Sequence, residues 1–220
     1  MSAEIRLDEV EVRVLGALIE KQVTTPEYYP LTLNALVHAC NQSSNRDPVV
    51  AYDERTVTDA LERLRAKKLA RVVQTADGRV PKHRHVLNEA FELKAAELAV
   101  LCVLLLRGPQ TVGELRGRTE RLYSFSDLAY VEGTLQALSE RADAPLVVRL
   151  PRLAGQKEAR YAHLLSGPVE ITEQSSRPAR REAMSAGDDR LAQLESEVAT
   201  LKQELAELRQ QFTEFKKQFE

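Results

Sequence analysis

The chain has no tryptophan and only two cysteines, and its 31 Lys and Arg are nearly cancelled by 33 Asp and Glu. Each shortage excludes something. Two cysteines cannot build a disulfide scaffold. Cys40 and Cys102 each lie among apolar residues in a helical pattern, so both are expected to be buried, reduced and unreactive. A formal net charge of -2 lacks the basic excess of a protein built wholly for nucleic acid, and leaves room only for a local basic patch. The longest apolar run, Leu98 to Leu106, is less than half a membrane span. The first residues, MSAEIRLDEVEV, have neither the basic start nor the apolar run of a signal peptide, so a cytoplasmic protein without a membrane partner is expected. There is no P-loop and no dinucleotide fingerprint, and no cofactor is expected.

What is present is a plan written twice. Asp8 followed by Glu11 reads as a helix cap with its reciprocal acid, and Val10, Val14, Ala17 and Leu18 continue at helical spacing to about Gln22. TTPEYYP ends that helix. Thr32 caps a second, with Leu33, Leu36, Val37 and Cys40 on one stripe; Asp53 caps a third, with Val57, Ala60, Leu61 and Leu64 facing inward. ARVVQTADGRVPKHRHVL then supplies two short β-rich runs around Asp77-Gly78, a hairpin signal. Three helices followed by a hairpin is the winged-helix plan. In the second copy, EVRVLGALIEK lines up with ELAVLCVLLLR, Thr111 and Glu114 make a capping box, and TVTDALERLRAK lines up with YVEGTLQALSER. LVVRLPRLAGQKEARYAHL supplies the second hairpin. Matches in four consecutive elements establish the repeat.

The polar stretch between the second and third helices holds His38, Cys40, Asn41, Ser43, Ser44, Arg46 and Asp47, residue types that could furnish a hydrolase. The spacing argues against it. His38 and Cys40 are two apart on one helix and diverge, and loop Asn, Ser and Asp ordinarily form turns and caps. A non-enzymatic protein is expected. His83 and His85 share one strand face, but two histidines without further ligands make no metal site.

The phrases LIEKQVTTPEYYPLTLNALVHACNQSSNRDP, LLLRGPQTVGELR and LPRLAGQKEARYAHL closely resemble the YceH-like family of bacterial proteins over about residues 5 to 170. The resemblance implies a tandem winged-helix fold and carries no catalytic or ligand residues with it. The expected fold class is mainly α with small β-hairpins (α+β). Two winged-helix modules occupy residues 5–90 and 91–171, a polar linker 172–187, and a coiled coil 188–220.

In that last segment Leu191, Leu194, Val198, Leu201, Leu205, Leu208, Phe212, Phe215 and Phe219 fall at alternating steps of three and four, the seam of a coiled coil. With Leu191 at the first core position, Glu197 and Glu204 oppose Lys202 and Arg209 across a parallel dimer. A homodimer through this seam is therefore expected.

A winged helix meets duplex DNA with its third helix and its wing. The first copy's third helix mixes Arg55, Arg63, Arg65, Lys67 and Lys68 with Asp53, Glu54, Asp59 and Glu62, whereas its wing sets Arg71, Arg79, Lys82 and Arg84 against Asp77 alone. Arg55, Arg63, Arg79, Lys82 and Arg84 are the candidate DNA contacts. The second copy has Asp127, Glu132 and Glu140 with only Arg141 on its third helix, and Arg149, Arg152, Lys157 and Arg160 near its wing. Two functional classes follow: an oligomeric DNA-binding or transcriptional regulator, favoured by the basic wing, and a protein-protein adaptor, favoured by the mixed helix charge. The second is similar in architecture to chromosome segregation accessory proteins.

The tail can be tested first. Sedimentation should give a dimer for the full chain and a folded monomer for a truncation after Gly187. Leu201→Asp with Leu205→Asp should behave like the truncation, because each places a charge in the seam. Equal monomeric masses for all three would refute the assignment.

Overall fold

The computed structural model describes residues 5–74, 80–152 and 158–169. Arg79, Lys157, the linker and all nine seam positions from Leu191 to Phe219 lie outside them. The chain folds as a mixed α+β structure with two small antiparallel sheets.

Helix α1 (Glu9–Thr24) begins where the sequence places it. The Asp8 carboxylate accepts the Glu11 amide at 2.8 Å, and Glu11 accepts the Asp8 amide at 2.8 Å. After a 3-10 turn (Pro26–Tyr28) come β1 (Leu31–Thr32) and α2 (Leu33–Cys40), the latter capped by the Thr32 hydroxyl. Then follow α3 (Glu54–Ala66), capped by Asp53, β2 (Ala70–Val73) and β3 (Lys82–His85). A five-residue helix, α4 (Leu87–Phe91), ends with Glu92 in the left-handed region and leads into α5 (Ala95–Arg107). The second copy continues with α6 (Val112–Thr119), α7 (Leu128–Ser139), β4 (Val147–Arg149) and β5 (Tyr161–His163). Thr111 and Glu114 form the expected capping box at the start of α6. The order of three helices and a hairpin thus occurs twice.

Both hairpins recruit a third partner. β1 pairs with β3 (Leu31 opposite His83, Thr32 opposite Lys82), giving the sheet order β1-β3-β2. The second copy makes the same addition with a single residue: Gln110 and Tyr161 exchange amide-to-carbonyl bonds of 3.0 and 2.7 Å. Other details repeat as well. Glu97 accepts the Lys94 amide at 2.8 Å as Glu11 accepts that of Asp8. Lys67 at the end of α3 donates to the Arg6 carbonyl at 2.6 Å, and its counterpart Arg141 donates to the Phe91 carbonyl at 2.6 Å.

The two copies join through α1 and α5, which are equivalent helices. Their buried stretches, Glu11 to Glu20 and Ala96 to Leu106, are continuous, as expected for helices enclosed on all sides. Gly16 and Cys102 are equivalent positions in the repeat, and they touch: the Cys102 thiol lies 3.5 Å from the Gly16 carbonyl oxygen. Contact between equivalent residues is the mark of a near-twofold relation. One continuous apolar core runs through both copies, and together they make a single compact unit ending at Glu170. The boundary expected after residue 90 falls inside the last turn of α4.

Gly16 is needed for this approach, because a Cβ there would sit 2.8 Å from Leu106 Cδ2 and 3.2 Å from Leu105 Cβ. Gly16→Leu should cost roughly 2–3 kcal/mol in urea denaturation, the penalty of overpacking a filled core. Gly117→Ala, where an added Cβ meets nothing within 4 Å, should instead raise stability by about 0.5–1 kcal/mol. Equal effects of the two changes would show that the helix contact is not close-packed.

Candidate nucleic-acid interface

The polar loop after α2 is a structural clamp that sets where α3 begins. Arg46, only 5% exposed, grips the Glu20 carboxylate with both guanidinium nitrogens at 2.6 and 3.1 Å. It also donates to the Ala39 carbonyl at the end of α2, from Nε at 3.1 Å and Nη2 at 2.8 Å. The buried charge is thus paired and its donors are used, which is what burial of an ion pair requires. The same loop reaches the second copy: the Asp47 amide donates to the Leu106 carbonyl at 2.9 Å, and Arg107 donates to Asn45 Oδ1 at 2.7 Å. Buried Arg13 donates to the Pro48 carbonyl at 2.6 Å. The Asn41 side chain then acts as a substitute strand, accepting the Tyr52 amide at 2.8 Å and donating to its carbonyl at 2.7 Å. Asp53 follows immediately and caps α3, accepting the Thr56 amide at 2.8 Å.

Arg55 stands exposed in the first turn of α3. Arg63, two turns further on, is turned back toward α1: it lies 3.0 Å from the Asp8 carboxylate and 3.7 Å from that of Glu11. Glu11 is 1% exposed and is also bound by Lys67 at 2.6 Å, so this cluster ties the end of α3 to the start of α1. On the sheet, Arg71 faces Arg84 and Val73 faces Lys82 across the β2–β3 ladder, so Arg71, Lys82 and Arg84 share one face. Glu89 on α4 pairs with Arg84 and lies 3.8 Å from Arg71. Arg79 lies outside the described residues. The candidate contacts therefore separate into Arg55 at the start of α3, Arg63 committed to α1, and Lys82 with Arg84 on the hairpin.

Between α3 and β2 lies an open groove of about 540 Å³, lined by Glu62, Arg65, Ala66, Ala70, Arg71 and Val72. No periodic signal marks it, because it exists only where a helix end meets a strand. Glu89 was equally hidden. It belongs to the short α4, whose only sequence trace is the Leu87–Phe91 spacing.

The hairpin strands also carry histidines withdrawn from water, His85 fully and His163 in part. His85 sits opposite Ala70 and is 0% exposed; its counterpart His163 sits opposite Val147. The His85 ring contacts the Gln22 side-chain oxygen, and its Nδ1 accepts the Leu87 amide at 3.3 Å. Burial, reinforced by Arg84, pushes the His85 pKa down to about 4, and burial alone takes His163 to about 4. Burial pushes the Cys40 thiol up to about 12, against the pull of Arg46 and Arg13, and raises that of Cys102 as well. Both thiols are buried and unpaired, in keeping with structural cysteines. Among the described residues no cluster of three or more His, Cys, Asp or Glu could hold a metal ion. No helix among them is long and apolar enough to cross a membrane.

The sequence that builds these two copies matches a known family. The chain belongs to the family described as "Protein of unknown function, DUF480", whose model matches residues 7–156. It is 59% identical over 192 residues to a UPF0502 protein of Opitutus terrae, covering 87% of this chain and 81% of that one. A UPF0502 protein of Geobacter sulfurreducens is 56% identical over 200 residues, covering 89% and 90%. One from Solibacter usitatus is 55% identical over 193 residues, covering 88% and 91%. These names state no activity, ligand or partner.

The buried His85 makes a pH prediction. His85 is neutral in the fold down to about pH 4, whereas an unfolded histidine takes up a proton below about 6.5. The unfolded state then binds more protons, so stability is complete above about pH 6.5 and falls as the pH drops toward 4. His85→Gln should flatten the stability profile between pH 6 and pH 4.5 by about 1.4 kcal/mol per pH unit, whatever its effect at pH 7. A slope identical to that of the unaltered protein would rule out a neutral buried His85.

Proposed function

We propose that this protein is a non-enzymatic, tandem winged-helix DNA-binding regulator that acts as an oligomer through its C-terminal segment. The observation that carries this reading is the cationic edge of the first copy. Arg55, Arg65 and Lys82 have no carboxylate partner among the described residues, and Arg71 and Arg84 share the single carboxylate of Glu89. The helix-helix-helix-hairpin order supports the winged-helix assignment, in which the third helix approaches the groove and the hairpin flanks it. Lys82, Arg84 and Arg79 would neutralise phosphates, and Arg55 would approach the backbone or base edges. Arg63 reaches DNA only by leaving Asp8 and Glu11, which places it behind Arg55 in this role. The second reading, a protein-protein adaptor, is favoured by one observation: the second copy's third helix exposes Leu128 and Tyr130.

Salt dependence separates the two. About six phosphates neutralised per dimer would give a log-log slope near -5 on random duplex DNA, and each wing substitution to Ala should reduce it by about two. Arg55→Ala should alter sequence preference more than slope. An unchanged affinity and slope in a protein carrying Arg79→Ala, Lys82→Ala and Arg84→Ala together would reduce the wing to a solvated hairpin. The adaptor reading expects no duplex binding even at low salt.

A further inference from the structure

The first sheet runs β1-β3-β2, and among the described residues no strand pairs with the outer side of β2. Two hydrogen bonds fix which of its backbone groups point that way. The Val86 amide donates to the Leu69 carbonyl at 2.9 Å, so these opposed residues, just before the β2–β3 ladder, form a hydrogen-bonded pair. The His85 amide is turned to the other side and donates to the Tyr29 hydroxyl at 2.8 Å, near the start of β1. Bonded and unbonded pairs alternate along an antiparallel ladder. Arg71 and Val73 therefore direct their backbone groups at Arg84 and Lys82. The amides and carbonyls of Ala70 and Val72 point outward.

These outward groups border the open groove of about 540 Å³ beside the end of α3. Ala70, only 3% exposed, closes the inner end; Val72 is half-buried, and exposed Gln74 continues the edge. Ala66 and Val72 give the groove an apolar lining, and its two arginines, Arg65 and Arg71, outnumber its one carboxylate, Glu62. Arg65 has no carboxylate partner among the described residues, and the Arg71 side chain is 68% exposed. The scaffold does not call for these cations. The equivalent positions of the second copy hold Ser139 and Val148.

We infer that the free edge of β2 takes an extended segment of a partner protein as a fourth strand, one in which acidic residues alternate with apolar ones. An edge that offers both an amide and a carbonyl is satisfied by another main chain, which carries both. A nucleic-acid phosphate supplies acceptors alone and leaves the Val72 carbonyl unmatched. The alternation follows from the pleat. Side chains of the added strand that lie beside Val72 meet the apolar lining. Those between them share the face of Arg71, Lys82 and Arg84, where carboxylates complement the charge. The site goes beyond the DNA reading, because it uses the backbone edge of the hairpin, and it stands whether or not duplex is bound.

The test follows the anisotropy of short fluorescent peptides added to the full-length protein. One alternates Glu and Val, a second alternates Lys and Val, and a third is the Glu-Val peptide N-methylated at its valines, whose amides would face Val72. The Glu-Val peptide should bind and the Lys-Val peptide should not. Methylation should weaken binding about tenfold or more, since it removes main-chain bonds and leaves charge intact. Val72→Pro deletes the outward amide without removing a bond to β3, and edge strands tolerate proline; it should cost a similar factor with an unchanged thermal melt. Arg65→Glu with Arg71→Glu should transfer preference to the Lys-Val peptide, and this arm holds even where Val72→Pro fails to fold. Equal binding of the methylated peptide, or full affinity in folded Val72→Pro, overturns the proposal. Absence of Glu-Val binding also overturns it, leaving the arginines as guards against edge pairing. A fall in sedimentation mass in Val72→Pro would make the occupant a second copy of this chain. Duplex DNA that displaces the peptide and is itself lost in Val72→Pro would assign the edge to nucleic acid; either result overturns the proposal.

Discussion

The close approach of α1 and α5 is the constraint on which the rest of the described structure depends. Each copy has a first helix that is buried on every side, and no three-helix-and-hairpin unit can cover such a helix from one side. Pairing the two helices solves both problems at once, and a glycine at the crossing allows it. With Gly16 against Cys102 and Leu106, side chains from both copies interleave in one core. The near-twofold relation explains why Glu11 and Glu97, and Lys67 and Arg141, repeat the same tasks.

Polar groups reinforce that pairing at its rim. A guanidinium withdrawn from water is costly unless its donors are used and its charge is matched. Arg46 meets both conditions through Glu20 on α1 and the carbonyl at the end of α2. The neighbouring residues Asn45 and Asp47 bond to the last turn of α5. Residues that could be mistaken for a catalytic set are thereby occupied in holding two helices and a following cap in place. The cationic edge depends on the same clamp, since it sets where α3 starts and so where Arg55 stands.

Duplication leaves two equivalent surfaces free to diverge, because the residues that fill the core are different from those that face out. The outward positions differ, Arg55 and Arg63 of α3 standing where α7 has Ala129 and Ala137, while the inward positions of both keep Val and Leu. The surface thus diverges without change in the core. Within the first copy, the carboxylates of Glu11 and Glu89 moderate the cations, holding Arg63 and Arg84 against the body of the protein.

Local rules made much of this architecture legible. Helix caps at Asp8, Thr32, Asp53 and Thr111 involve residues three apart, and each forms as its spacing implies. Helical stripes such as Val57, Ala60, Leu61 and Leu64 are buried for the same reason: periodicity along the chain is periodicity around the helix. The repeat itself was visible as matched stripes. Strand β1 was not, because two residues carry no alternation and their pairing with Lys82 and His83 is decided about fifty positions away. Charge told only half its story. The count of cations on α3 and the hairpin could be read directly, but which of them are already paired depended on Asp8, Glu11 and Glu89, brought in by other elements. The sequence alone therefore determined the main helices and the hairpins, their order and their duplication, since these follow from interactions within a few residues. Only the tertiary structure decided how the copies face each other and which charges remain free, since those contacts join residues far apart in the chain.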